Sequence, residues 1–186
     1  MQFEPMTIPE VIQIIPKIHQ DDRGFFMETY QAQRYGAAGL PFIYVQDNHS
    51  GSLHGTLRGL HYQIRQPQGK VVRVVVGEIY DVAVDLRRWS ATFGQWVGLK
   101  LSAKDKNQLW IPPGFAHGVY VVSDFAELLY KTTDYYAPEW ERTLLWNDPA
   151  LSITWPIPDG EEPILSPKDQ LGKPLAEAEV YVQEIK

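Results

Sequence analysis

The sequence contains no cysteine at all. That excludes disulfide scaffolds, thiolate nucleophiles, iron–sulfur clusters and cysteine-based zinc sites, so any catalysis must use other groups. Basic charge is also scarce, with 17 Lys and Arg against 23 Asp and Glu, a net charge of −6. With a pI near 5.3, the chain lacks the broad cationic footprint of a nucleic-acid binder, and any anionic ligand must be met by a local basic cluster. Long apolar runs are missing too. The longest stretch without Asp, Glu, Lys or Arg is the 17 residues from Asn107 to Ser123, and Pro112-Pro113-Gly114 interrupts it. It cannot run as one spanning helix, so no transmembrane segment is expected. The first residues carry Glu4, Pro5, Pro9 and Glu10 with no basic-then-apolar pattern, so no signal peptide is read and a cytoplasmic location is the default.

What is present fits one compact domain spanning residues 1–186, with 44% apolar and 22% charged residues. Fourteen Gly and fourteen Pro punctuate short segments rich in Val, Ile, Tyr and Trp. This is the pattern of an all-β sandwich or barrel. Candidate strands are 12–15, 25–30, 44–48, 58–64, 71–76, 79–86, 95–101, 108–111, 118–122 and 127–133. In the segment from Ile79 to Leu86, Tyr80, Val82, Val84 and Leu86 share one face and Asp81 and Asp85 the other. Residues 31–38 form the best helix candidate of the first half, a short surface helix ended by Gly39 and Pro41. From Tyr135 onward, prolines at 149, 156, 158, 163, 167 and 174 break any long element. Trp146, Leu151, Ile153 and Trp155 there need a core to pack on, so this part reads as a wrapping C-terminal tail. The whole points to a jelly roll with few, short helices.

Of the five His, at 19, 49, 54, 61 and 117, His61 and His117 sit in apolar, strand-like contexts. Period two puts Gly59, His61 and Gln63 on one face, and the missing side chain at Gly59 is expected to leave room for a ligand beside the imidazole. A core histidine bonded to a backbone group is the competing reading.

The segment from Gly55 to His61 resembles the opening of the first cupin motif, and Pro112-Pro-Gly-Phe-Ala-His117 resembles the second. Metal-binding cupins continue the first motif as H-x-H followed by Glu. Here Gln63 replaces the second His, and Gln66, Pro67 and Gln68 occupy the region of the Glu, so at most two of four ligands remain and no metal site is expected. The stretches 21–26, 45–50, 57–62, 67–70, 93–96, 111–117, 130–136 and 146–149 together resemble the dTDP-4-dehydrorhamnose 3,5-epimerase family, in its order. That resemblance implies a metal-independent cupin jelly roll, or double-stranded β-helix, that needs no cofactor, usually as a homodimer, in deoxysugar (L-rhamnose) biosynthesis.

By resemblance, His61 is the base, Asp169 the carboxylate that orients it, Lys70 the cation near the developing enolate and Tyr130 the acid on the opposite face. Each has a plainer alternative: Asp169 as the third residue of a tail helix capped by Ser166, Lys70 as a turn lysine, Tyr130 as core. Arg23 and Arg58 match phosphate and sugar contacts, and Glu28, Gln46, Asp47, Asn48, His117 and Glu141 match other substrate positions. Tyr136 resembles the aromatic that stacks on thymine. The segment from Arg23 to Glu28 is expected to cross to the other subunit, although Arg23 beside Asp22 also fits a surface ion pair. Three further readings compete: a single-position C5 or C3 epimerase of an antibiotic-sugar pathway, a non-catalytic sugar-nucleotide-binding cupin, and a metal-dependent cupin oxygenase or isomerase.

Overall fold

A computed structural model describes residues 1–184. Its strands, in chain order, are β1 (Gln2–Pro5), β2 (Ile12–Ile15), β3 (Ile18–Asp21), β4 (Gly24–Met27), β5 (Gln46–Leu53), β6 (Leu57–Gln63) and β7 (Lys70–Val76). They continue as β8 (Glu78–Asp85), β9 (Trp96–Ser102), β10 (Gln108–Ile111), β11 (Phe115–Val121), β12 (Phe125–Thr132) and β13 (Glu141–Thr143). Two short helices, α1 (Ala32–Ala37) and α2 (Pro167–Gln170), complete the set with a single 3-10 turn at Pro138–Trp140. A six-stranded sheet, β1-β2-β10-β7-β12-β5, faces a five-stranded one, β13-β6-β11-β8-β9, and β3 and β4 form a separate hairpin. All strand pairs within these sheets are antiparallel. This is the cupin-like jelly roll expected from the strand pattern.

Alternation along each strand divides the interior into an apolar part and a polar part. On β7, Val72 and Val74 enter the core between the sheets while Lys70, on the same face, lines a cavity. On β12 Leu128 and Tyr130 repeat this arrangement, and on β11 Val119 and Val121 are core while His117 reaches the cavity. One interior therefore serves both stability and chemistry. On β8 both faces are buried: Ile79 and Ala83 pack between the sheets, whereas Val82, Val84 and Leu86 form a second apolar layer outside. Asp81 and Asp85, on the face opposite Val82 and Val84, are also fully buried.

The tail covers that outer layer. Leu144, Leu151, Trp155 and Tyr181 are buried against Leu57, Leu60, Tyr62 and Val84. Its polar ends are satisfied as well, since Trp155 Nε1 donates to Trp146 O at 2.9 Å and Tyr62 Oη to Glu179 O at 2.6 Å. On the outer face of the six-stranded sheet, Tyr35 of α1 packs with Ile14, Val71 and Trp110. The short surface helix expected over 31–38 is thus present, capped by Gln31, with Tyr35 as the buried residue that anchors it to an apolar cluster.

Strands β2 and β10 match the sequence reading. The edge strands β1 and β13 and the first strand of the β3–β4 hairpin were not legible, because none of them buries a whole apolar face. Strand β11 begins earlier than expected, at Phe115, directly after Pro112, Pro113 and Gly114.

Candidate active site

Strand β6 carries the central side chain. Simple alternation would put Arg58 and His61 on opposite faces, yet both line the same cavity. The register explains this. His117 pairs with His61 and Val119 with Arg58, so three steps on β6 oppose two on β11, and the extra residue re-phases the strand. Gly59 sits in that irregularity with φ +136°, and a Cβ there would fall 2.5 Å from Gly118 Cα. Its missing side chain serves close approach between strands rather than leaving room for a ligand, which corrects the sequence reading. Gly69 behaves similarly: a Cβ would meet the Trp110 ring at 2.3 Å, so this glycine lets the chain pass under Trp110 just before Lys70.

His61 Nε2 lies 2.6 Å from Asp169 Oδ1. Asp169 is also the third residue of a tail helix whose N-cap is Ser166, so the two readings of this carboxylate hold together. Ser166 Oγ donates to Asp169 Oδ2 at 2.6 Å and Gly59 N–H to Oδ1 at 3.3 Å. Burial opposes ionisation of Asp169, but the hydrogen bonds from His61 and Ser166 outweigh it and hold the carboxyl at about 2. Burial also pushes the His61 imidazole below its ordinary value, more than the bond to Asp169 raises it. At neutral pH the imidazole is uncharged, with Nε2–H given to Asp169 and Nδ1 left with its lone pair.

The cavity beside His61 has a volume of about 360 Å³. It brings together Gln46, Asn48, Arg58, His61, Lys70, His117, Tyr130, Tyr136 and Glu141 of the expected residues. Lys70 and Tyr130 come from the six-stranded sheet and His61 and His117 from the facing one, so the phenol and the imidazole approach the cavity from opposite walls. Burial pushes the Lys70 ammonium down to about 8, against the opposing pull of Asp81 and Glu141. Burial likewise raises the Tyr130 phenol, which therefore stays protonated at neutral pH. Arg58 is held across the sheets by a 2.9 Å bond from its Nε to Ser52 Oγ.

Three expected residues lie elsewhere. Asp47 alternates to the outer face of β5 and bonds Lys131 Nζ at 2.9 Å, a position set by the pleat. Arg23, with a side chain 90% exposed, sits on the β3–β4 hairpin and pairs with Asp21, not Asp22. Glu28 pairs with Arg34 at 3.1 Å. The sequence reading missed Ser50, Gln68 and Lys168 on the cavity wall. Lys168, next to Asp169, bonds Glu141 Oε1 at 2.8 Å, while Tyr136 Oη donates to Glu141 Oε2 at 3.0 Å. Its position before Asp169 on a capped helical turn was the available signal. Among the described residues no three His, Asp or Glu side chains are grouped as metal ligands.

The family profile for dTDP-4-dehydrorhamnose 3,5-epimerase matches residues 5–177. The chain belongs to this family. It is 57% identical over 182 residues to the dTDP-4-dehydrorhamnose 3,5-epimerase of Pseudomonas aeruginosa, covering 97% of this chain and 99% of that one. The dTDP-6-deoxy-D-glucose-3,5-epimerase of Legionella pneumophila, solved with dTDP-4-keto-L-rhamnose, superposes with a TM-score of 0.94 at 49% identity, with 99% of each chain covered. A 3'-monoepimerase from Streptomyces bikiniensis, solved with dTDP-quinovose, has a TM-score of 0.85 at 34% identity, covering 92% of this chain and 87% of that chain. This epimerase-family cavity thus carries a buried His–Asp pair, a lysine and a tyrosine on facing walls.

Within the epimerase-family site, Asp169→Asn is expected to lower turnover by roughly 10²- to 10⁴-fold without abolishing it, because the imidazole survives while its tautomer and charge support are lost. Steady-state kinetics with unchanged nucleotide affinity would show this. Wild-type turnover in that variant would reduce Asp169 to a helix-cap residue.

Proposed function

We propose that this epimerase converts dTDP-4-dehydro-6-deoxy-glucose to dTDP-4-dehydro-L-rhamnose by inverting C3 and C5 through enolate intermediates. The observation that carries the reading is the 2.6 Å His61–Asp169 pair facing a cavity whose other wall supplies Lys70 and Tyr130. A ketone at C4 acidifies the hydrogens at both neighbouring carbons, so one mechanism serves both. His61 Nδ1 takes the proton from carbon, the C–H pair becomes a double bond between that carbon and C4, and the carbonyl π pair moves onto the C4 oxygen. The Lys70 ammonium offsets the charge on that oxygen. Tyr130 then gives its phenolic proton to the opposite face of the carbon as the ketone re-forms, leaving imidazolium and phenolate to exchange protons with water. The single-position alternative is less favoured, because relatives at 50% identity or more are 3,5-epimerases whereas the 3'-monoepimerase lies at 34%.

Arg58, Gln46, Asn48, His117 and Glu141 hold the sugar and diphosphate in this reading, and Tyr136 stacks on the base. Arg23 and Glu28 reach the cavity from a second copy of the chain, which supplies what one chain leaves open. The exposed hairpin supports this, with Phe25 and Phe26 58% and 69% exposed beside Arg23. Asp47 belongs to the same substrate set only through the neighbouring Gln46 and Asn48, given its pairing with Lys131. A nucleotide-sugar substrate fits the cytoplasm, and no described helix is long and apolar enough to cross a membrane.

The test is incubation with dTDP-4-dehydro-6-deoxy-glucose in deuterium oxide, reading incorporation at C3 and C5 separately. Deuterium at both, with inversion, is expected; deuterium at one carbon alone moves the assignment to a single-position epimerase. Turnover should also survive exhaustive chelation, since Lys70 is the cation assigned to the enolate. Loss of turnover on chelation, restored by a divalent metal, would overturn that assignment.

A further inference from the structure

Three glutamine side chains hold the loop that carries Tyr136. Gln68 Nε2 donates to Asp134 O at 2.9 Å, and Gln46 Oε1 accepts from Tyr136 N–H at 3.1 Å. Gln63, the last residue of β6, holds the middle of the loop. Its Nε2 donates to Tyr135 O at 3.2 Å and to Gln66 O at 2.7 Å, and its Oε1 accepts from Ala137 N–H at 2.9 Å. A primary amide has two N–H donors and an accepting oxygen, and this pattern uses all of them. The carbonyl of Gln63 is itself fixed, since it accepts from Tyr181 Oη of the tail. Gln46 and Gln68 line the cavity, whereas Gln63 is buried outside that lining, and the proposed steps do not use it.

We infer that Gln63 is a positioning residue of this epimerase, a buried amide that clamps the backbone on both sides of Tyr136 and sets the ring in place for the nucleotide base before substrate arrives. This rests on the proposed stacking of Tyr136 on that base. Tyr136 is 52% exposed, so packing alone fixes little of it. Hydrogen bonds fix it instead: Gln46 at its own N–H, Gln63 at the residues before and after it, and Glu141 Oε2, which accepts from its Oη at 3.0 Å. An aromatic held open to solvent in this way has already lost the loop freedom that binding would otherwise have to remove. The residue type follows from the same count of bonds. Gln63 stands where metal-binding cupins carry the second His of their first motif, and the two ring nitrogens of an imidazole cannot serve three backbone groups. A glutamate would set a carboxylate against the carbonyls of Gln66 and Tyr135. Without the amide, the N–H of buried Ala137 loses its acceptor, and a buried donor left unpaired is costly enough to open the loop towards water.

The experiment places Gln63→Met, which keeps side-chain length and removes the amide, in the wild-type and Tyr136→Ala backgrounds. Calorimetry gives dTDP affinity, steady-state kinetics with dTDP-4-dehydro-6-deoxy-glucose give kcat and KM, and NMR follows hydrogen exchange at the Ala137 amide. Gln63→Met should weaken dTDP binding and raise KM by about tenfold while kcat stays within about threefold. Exchange at Ala137 should quicken by about tenfold or more. In the Tyr136→Ala background the same substitution should change dTDP affinity by less than about twofold, because the clamp then has no ring to place. A role confined to folding would lower kcat through the active fraction and leave KM unchanged. That result, equal losses of affinity in both backgrounds, or unchanged exchange at Ala137 overturns the inference. If Gln63→Met does not fold, wild type decides: Ala137 N–H should be as protected without dTDP as with it, and free exchange that only dTDP suppresses overturns the preset loop. Wild-type dTDP affinity in Tyr136→Ala alone would instead overturn the stacking reading, while Ala137 exchange still decides for or against the clamp.

Discussion

His61→Ala should abolish solvent exchange at both C3 and C5, with a loss of roughly 10³-fold or more in turnover, while dTDP affinity stays within about tenfold. The size follows from the arrangement around the imidazole. Nε2 is committed to Asp169 at 2.6 Å, so Nδ1 is the nitrogen available for the carbon-bound proton, and alanine removes it without touching Arg58 or Tyr136. Among the described residues His117 is the other imidazole lining this cavity, and its Nε2 is engaged by Asp81 at 3.0 Å. The check is deuterium incorporation by NMR beside calorimetric binding of dTDP. Substantial exchange remaining at either carbon would require a second base, with His117 first in line.

Tyr130→Phe has a different expected signature. The ring packs at the edge of the core cluster, so phenylalanine keeps the volume and the variant should fold. Only the hydroxyl is lost. Removal of hydrogen by His61 persists, but the enolate has no acid on its other face, so the proton returns from the side it left. Labelled substrate should exchange its hydrogens with solvent deuterium while inversion falls by roughly 10²-fold or more. Burial raises the phenol, so the wild-type donor stays protonated across the neutral range, and this split should not vary between pH 6 and 8. Equal inversion in the variant and wild type would remove Tyr130 from the chemistry and return it to the core.

Much of this site was legible before any coordinates because its residues lie in short, ordered motifs. The Gly-Leu-His run around His61 and the Pro-Pro-Gly turn before His117 are local features, and local features survive in a linear reading. Strand β7 begins at Lys70, one residue before the strand expected over 71–76, and period two places Lys70, Val72 and Val74 on one face. That alternation failed at Arg58, where an extra residue on β6 reverses the phase, and nothing in that segment except Gly59 marks the change. Lys168 was missed for another reason. It reaches the cavity only because the tail crosses the outside of the five-stranded sheet and brings α2 to β6, an arrangement set by the burial of Trp155, Leu151 and Tyr181 rather than by any pattern near Lys168 itself. Edge strands such as β1 and β13 escaped because they are defined by hydrogen bonds to a neighbour more than by their own side chains.

His61, the proposed base, and the carboxylate bonded to it stand 108 positions apart in the chain. Joining them closes a long loop, and the entropic cost of such closure is met only after the nearer contacts of the barrel are in place. A chain with both sheets assembled but with its last turn undocked would therefore have a shaped cavity and a poorly oriented imidazole. Acquisition of reactivity is then a late event in folding.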